Sequence, residues 1–139
     1  MLRFIYVILM NLFRAPYIIP KMRKWADHPE KYSEEERYKL VRHVIYLMKR
    51  SGKIKTVAYG EENLPKEGGY VMYPNHQGKY DALGIISTHK EPCSLVMDEA
   101  KSHTILVSEF VDLLQGKRLI KDNVRQLSLI HISEPTRPY

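Results

Sequence analysis

Tyr70-Val71-Met72-Tyr73-Pro74-Asn75-His76-Gln77-Gly78-Lys79-Tyr80-Asp81, continued by Ala82-Leu83-Gly84-Ile85-Ile86, changes character twice. Tyr70 to Tyr73 is apolar and runs into a proline, which predicts a buried strand. Asp81 to Thr88 resumes the apolar pattern and predicts a buried helix. A further run, Ser94-Leu95-Val96-Met97, predicts the next strand. Strand, helix and strand imply a parallel pair with a crossover, and so an α/β domain. The polar break between the first strand and the helix is where such units commonly display reactive groups.

That break carries a histidine and an aspartate, His76 and Asp81. In one continuous helix, five steps of about 100° would leave them roughly 140° apart around the axis, out of reach of each other. A bend is therefore required. Gly78 can supply it, because glycine accepts backbone angles other residues avoid. Asp81 then falls in the first turn of the following helix, where the helix dipole favours a carboxylate. A carboxylate bonded to one imidazole nitrogen fixes the tautomer and leaves the other nitrogen free to take a proton.

Asn75-His76 with Asp81, preceded by Gly60-Glu61-Glu62-Asn63-Leu64-Pro65-Lys66-Glu67-Gly68-Gly69, resembles the 1-acylglycerol-3-phosphate acyltransferase family. A bare His-x4-Asp is unspecific, but Gly-x-x-Asn-Leu-Pro a short way upstream is much more so. The resemblance implies that His76 is the general base, that Asp81 orients it, and that the fold is an α/β sheet flanked by helices. It also implies an acceptor pocket in Gln115-Gly116-Lys117-Arg118-Leu119-Ile120-Lys121-Asp122-Asn123-Val124-Arg125, with Lys117, Arg118, Lys121 and Arg125 as substrate-binding residues. The match there is loose. Lys121 stands where the family has an arginine, and lysine holds a phosphate as a point charge without the bidentate guanidinium contact. The family's Phe-Pro-Glu-Gly-Thr-Arg motif does not occur in the chain.

The function implied is transfer of a fatty acyl group from acyl-coenzyme A or acyl carrier protein to lysophosphatidic acid, giving phosphatidic acid, with no further cofactor. Two alternatives stay open: another acceptor, such as glycerol 3-phosphate or a different lysolipid, and a peripheral membrane protein without catalysis. Ser87 and Ser94 have no nucleophile context, so attack is expected directly on the thioester. His76, Asp81 and Cys93 are not expected to form a metal site.

The chain has 139 residues and a formal net charge of +6. Leu127 to Tyr139, Leu-Ser-Leu-Ile-His-Ile-Ser-Glu-Pro-Thr-Arg-Pro-Tyr, resembles translated adapter read-through and is set aside as a non-native tail. Setting it aside removes one cation, Arg137, and one anion, Glu134, and leaves the charge unchanged. The absence of the third motif then suggests a partial domain. The cations are dispersed and no nucleic-acid recognition motif accompanies them, so nucleic acid is not an expected partner. The single cysteine, Cys93, fits a reducing compartment and reads as a small apolar residue of the 94–97 strand.

An anionic membrane surface is the expected partner. Phe4 to Phe13 is almost wholly apolar, and even about thirteen helical residues here would cover only about 20 Å, short of the roughly 30 Å hydrocarbon core. Arg3, Asn11 and Arg14 fall within an arc of roughly 80°, leaving a broad apolar face suited to the headgroup region. Pro16 and Pro20 are expected to break the helix, and Lys21, Arg23 and Lys24 beside Trp25 to meet headgroups. This divides the chain into a membrane-interface segment at 1–32, a partial acyltransferase domain at 33–126 and a tail at 127–139. The place of work is then the cytoplasmic face of the cell membrane, with peripheral or monotopic attachment.

Between these landmarks, Ser33 to Arg50 predicts a helix. Ser33 and Glu36 match a capping box, Lys49, Arg50 and Gly52 close it, and Leu40, Val41, Val44, Ile45, Leu47 and Met48 form its apolar face. His43, between apolar positions, reads as structural. Lys53 to Tyr59 predicts another strand. A helical segment begins at Asp98 and presents Ile105, Leu106, Phe110, Leu113 and Leu114.

Overall fold

The computed structural model describes residues 6, 9–75, 78 and 80–120. The elements are helix α1 (Ala15–Asp27), α2 (Glu34–Gly52), a short 3-10 turn (Glu61–Asn63), α3 (Asp81–Thr88), strand β1 (Val96–Asp98), α4 (Glu99–Ser102), α5 (Val107–Leu113) and strand β2 (Lys117–Leu119). The fold is mixed α/β, mostly helical, and among the described residues it holds one two-stranded parallel sheet. Among the described residues no helix is long and apolar enough to cross a membrane.

Helix α2 forms as its sequence dictates. Ser33 Oγ accepts from the Glu36 N–H at 3.2 Å, and the Glu36 carboxylate accepts from the Ser33 N–H at 2.9 Å. The helix closes on Lys53 in a left-handed conformation, whose N–H returns to the Lys49 and Arg50 carbonyls. Leu40, Val41, Val44 and Ile45 are buried against Met22 of α1, Ile86 of α3 and Phe110 and Leu113 of α5. Each such side chain contributes about 1.5–3 kcal/mol by leaving water. His43 is on the exposed side of α2, outside the core.

The prolines do not break α1. Pro16 stands in the first turn, where a missing N–H removes no bond, but Pro20 is internal. Pro20 deletes one backbone hydrogen bond, a penalty of about 3 kcal/mol for an interior proline. Tertiary packing offsets it. Met22 is fully buried, Ile18, Trp25 and Ala26 pack on the core, and Arg23 donates to Glu109 Oε1 through Nε at 3.0 Å and Nη2 at 2.6 Å. Arg23 is thus tied to α5, not presented with Lys24 as an uncommitted headgroup cation. Residues 15–27 of the expected interface segment share one core with α2 and α5.

The sheet forms in a different place from the one the apolar runs suggested. Residues 54–60 and 70–75 are irregular, and the strand expected at 94–97 lies at 96–98. Its partner is Lys117–Leu119, with Val96 beside Lys117, Met97 beside Arg118 and Asp98 beside Leu119. A strand must share its backbone hydrogen bonds with a neighbour. Tyr70 to Tyr73 has none among the described residues, and Val71 is 72% and Tyr73 92% exposed. At the edge of β2, Gly116 allows the approach: a Cβ there would lie 2.8 Å from the Leu95 carbonyl oxygen and 2.9 Å from Val111 Cγ1. The Lys117 N–H then donates to Leu95 O at 2.8 Å.

The segment after β1 is two helices rather than one. The chain turns between α4 and α5 at Leu106, which takes a left-handed φ of 72°. Ile105 is consequently exposed, while Phe110, Leu113 and Leu114 are buried as the periodicity suggests.

Candidate functional site

Helix α3 begins at Asp81, with Tyr80 as its cap residue. The Gly78 N–H donates to Asp81 Oδ2 at 2.7 Å, and the Asp81 N–H donates back to Gly78 O at 3.3 Å. This reciprocal pair bends the chain into the helix. Gly78 does not adopt a left-handed φ, and a Cβ at that position would come no nearer than 3.8 Å to Asp81 Oδ1. The bend therefore comes from the aspartate side chain closing a turn, an arrangement short acidic residues favour, and not from the backbone freedom of glycine. Asp81 is half-buried in the first turn, facing the positive end of the helix dipole.

Neighbouring segments hold this turn in place. The Tyr80 hydroxyl bonds the Thr56 hydroxyl, drawing the irregular 54–60 stretch to the start of α3. The Tyr80 carbonyl accepts from the Gly84 N–H at 2.8 Å. Gly60 takes a left-handed φ of 77° and opens the 3-10 turn, in which the Asn63 N–H returns to Gly60 O at 3.0 Å. Glu61 of that turn pairs with Lys90, just past the end of α3, at 3.1 Å. The upstream Gly-x-x-Asn-Leu-Pro thus forms a tight corner tied to the far end of the helix that carries Asp81. Asn75 is exposed, and His76 lies outside the described residues, as do Gln77 and Lys79.

Of the expected acceptor contacts, Lys121 and Arg125 lie outside the described residues. Lys117 is exposed at the start of β2 and lines an open cleft shared with Asp27, Asp112 and Gln115. Two carboxylates in that lining work against an anion there. Arg118 is half-buried, with Nε donating to Ser102 Oγ at 2.9 Å and Nη2 on Asp112 Oδ1 at 2.6 Å. It braces β2 against α4 and α5.

The Cys93 thiol lies 3.5 Å from the Tyr38 hydroxyl, which also approaches the carbonyls of Ile86 (3.2 Å) and His89 (3.1 Å). Burial pushes the Cys93 pKa up, which disfavours the nucleophilic thiolate. Burial likewise raises the Tyr38 phenol, so it stays protonated and docks the end of α3 onto α2. No group of His, Cys, Asp and Glu among the described residues is arranged to hold a metal ion.

Two features escaped the sequence reading. One is Glu109, fully enclosed between α1 and α5; its partner Arg23 is 86 positions away, and no local pattern announces the pair. The other is a basic cleft between α2 and α3, lined by Lys39, Arg42, His43, Tyr46, Lys49 and Ser87. Helical spacing of Lys39, Arg42 and Lys49 was the available signal, since they fall within about 80° of arc. Comparison of the chain with family models, with curated proteins and with solved structures finds no match.

Proposed function

We propose that this protein belongs to a membrane-bound acyltransfer system in which His76 and Asp81 activate the hydroxyl of 1-acylglycerol 3-phosphate against an acyl thioester, on a glycerolipid-acyltransferase-like fold. The observation that carries the reading is the place of Asp81: a half-buried carboxylate in the first turn of α3, held by the N–H of Gly78, which follows His76 by two positions in the sequence. His76 takes the hydroxyl proton while the oxygen attacks the thioester carbonyl. The tetrahedral intermediate collapses to the ester and expels the thiolate, which recovers the proton from the imidazolium. Asp81 supports that imidazolium and its tautomer. Acyl-coenzyme A or acyl carrier protein is the donor, and no other cofactor enters. Lys121 and Arg125 are the acceptor-phosphate contacts in this reading, with Arg118 positioning the strand ahead of them, while Asp27 and Asp112 beside Lys117 take it out of that role.

The test is transfer of a radiolabelled acyl group from an acyl thioester to lysophosphatidic acid by the protein and its variants. His76→Ala should lower acyl transfer to lysophosphatidic acid by about 10²–10⁴-fold. Asp81→Asn should lower turnover severely as well. Lys121→Ala should raise the acceptor KM more than it lowers kcat, since a phosphate contact away from the reacting oxygen is made in ground and transition states alike. Near-normal transfer by His76→Ala would overturn the assignment, and transfer to glycerol 3-phosphate but not to lysophosphatidic acid would redirect it to another acceptor.

Peripheral membrane binding, with or without catalysis, has its own support. Leu9, Leu12, Phe13 and Tyr17 expose large apolar side chains ahead of and within α1, with Phe13 at 93% and Tyr17 at 74% exposure. Arg14 and Lys24 add exposed cations. Apolar side chains beside cations suit the headgroup region at the cytoplasmic face of a cell membrane. Deleting the whole N-terminal segment would also remove Met22 from the core, so point variants are the cleaner test. Phe13→Glu with Tyr17→Glu should abolish flotation with anionic vesicles at unchanged Tm; undiminished flotation would exclude this surface.

A further inference from the structure

We propose that the cleft between α2 and α3 is a binding site for a phosphomonoester group. Its lining is Lys39, Arg42, His43, Tyr46, Lys49 and Ser87, around a volume of about 400 Å³. That is within the size range of small-ligand pockets. The α2 contributors fall within about 120° of arc, opposite the buried face of the same helix. Among the described residues no carboxylate lines the cleft. The nearest acidic partner, Glu35, lies 3.7 Å from Lys39, and both side chains are about three-quarters exposed, so the pair is weak and readily exchanged.

The cations are also organised from the α3 side. Arg42 Nη2 donates to the Ser87 carbonyl at 3.4 Å and Lys49 Nζ to Ser87 Oγ at 3.3 Å. Both contacts are long. They draw two positive side chains toward one point while leaving most of their donor capacity unused. Placing like charges one and two turns apart on a helix is mildly destabilising in itself. A dianion relieves that repulsion, because Arg42 offers a planar fork, Lys39 and Lys49 offer point charges and Tyr46 adds a hydroxyl. A solvated basic face would need none of the convergence on Ser87.

This site stands on α2 and the last turn of α3 and does not depend on His76, so failure of the acyltransferase reading leaves it intact. The phosphate could be carried by a soluble ester or by a lipid headgroup, and two titrations separate these sources. Glycerol 3-phosphate titrated into the isotopically labelled protein should shift the amide resonances of Arg42, Tyr46, Lys49 and Ser87 saturably. Arg42→Gln with Lys49→Gln should weaken that binding by about 10–100-fold. Lys55→Gln with Lys66→Gln removes the same charge from exposed positions elsewhere and should leave it unchanged. Arg42→Lys with Lys49→Arg should restore most of it, and far-UV circular dichroism verifies that each variant remains helical. In the second arm, flotation with phosphatidylcholine vesicles containing phosphatidic acid is compared for the same variants. Loss of flotation in Arg42→Gln/Lys49→Gln alone assigns the phosphate to a headgroup; a saturable soluble titration with flotation unaffected assigns it to a free ester. If both Gln pairs weaken binding equally, or if neither titration shows an effect centred on the cleft, the proposal is wrong.

Discussion

Helices α1, α2 and α5 and the stretch from Ile54 to Asn75 are comparably rich in apolar residues, yet they behave oppositely. In the helices the large apolar side chains interlock: Met22, Val41, Ile45 and Leu113 are wholly buried. In the other stretch Val57, Tyr59, Val71 and Tyr73 face solvent and no ladder forms. The difference teaches where backbone satisfaction comes from. A helix pairs its own N–H and C=O groups and needs a neighbour only for its apolar stripe, whereas a strand needs a neighbour for its backbone as well. Asp81 lies on the packed side of the boundary between the two, and Asn75 at the end of the open one.

The comparison can be broken most sharply in the core. Ile45→Ala should cost about 2–5 kcal/mol, seen as a lower urea midpoint, whereas Val71→Ala should stay within about 0.5 kcal/mol of the parent. Similar losses at both positions would mean that the 70–75 stretch is packed after all. Amide exchange sharpens the same point, with Val41 and Ile45 protected far longer than Val71 and Tyr73.

Glu109 offers a second, smaller break. Burial alone would push its carboxyl up, but the Arg23 guanidinium, the Leu106 N–H and the Ser108 hydroxyl together hold it below the usual glutamate range. A depressed carboxyl contributes stability that is present above the unfolded-state value, about 4.3, and is lost as pH falls through the lower folded-state value. Glu109→Gln should therefore cost about 1–2 kcal/mol at neutral pH, discounted because Arg23 is largely exposed. It should also flatten the loss of stability on acidification below about pH 4.3. An unchanged acid-unfolding curve would remove Glu109 as the tie between α1 and α5.

The smallest effects test local signals. Ser33→Ala removes the acceptor for the Glu36 N–H and should cost about 1 kcal/mol. Tyr73→Ser, at a side chain 92% exposed, should leave thermal unfolding where it was.

Sequence alone determined the elements whose information is local. The Ser33 and Glu36 box starts α2, Asp81 starts α3, and the period of Phe110, Leu113 and Leu114 marks the face of α5, because a helix is encoded by caps and a repeat within its own few turns. The position of Asp81 at a helix start was legible for the same reason, although the bend is closed by its carboxylate and not by an unusual glycine conformation. Tertiary structure decided what depends on distant partners. It passed over 70–73 and paired 96–98 with 117–119, kept Pro20 inside α1 by burying Met22, and joined Arg23 to Glu109. It also spent Arg118 on Ser102 and Asp112 and brought Arg42 and Lys49 onto Ser87. Each of these turns on which backbone or charge arrives from elsewhere in the chain, and a residue's own neighbours in sequence carry no record of that.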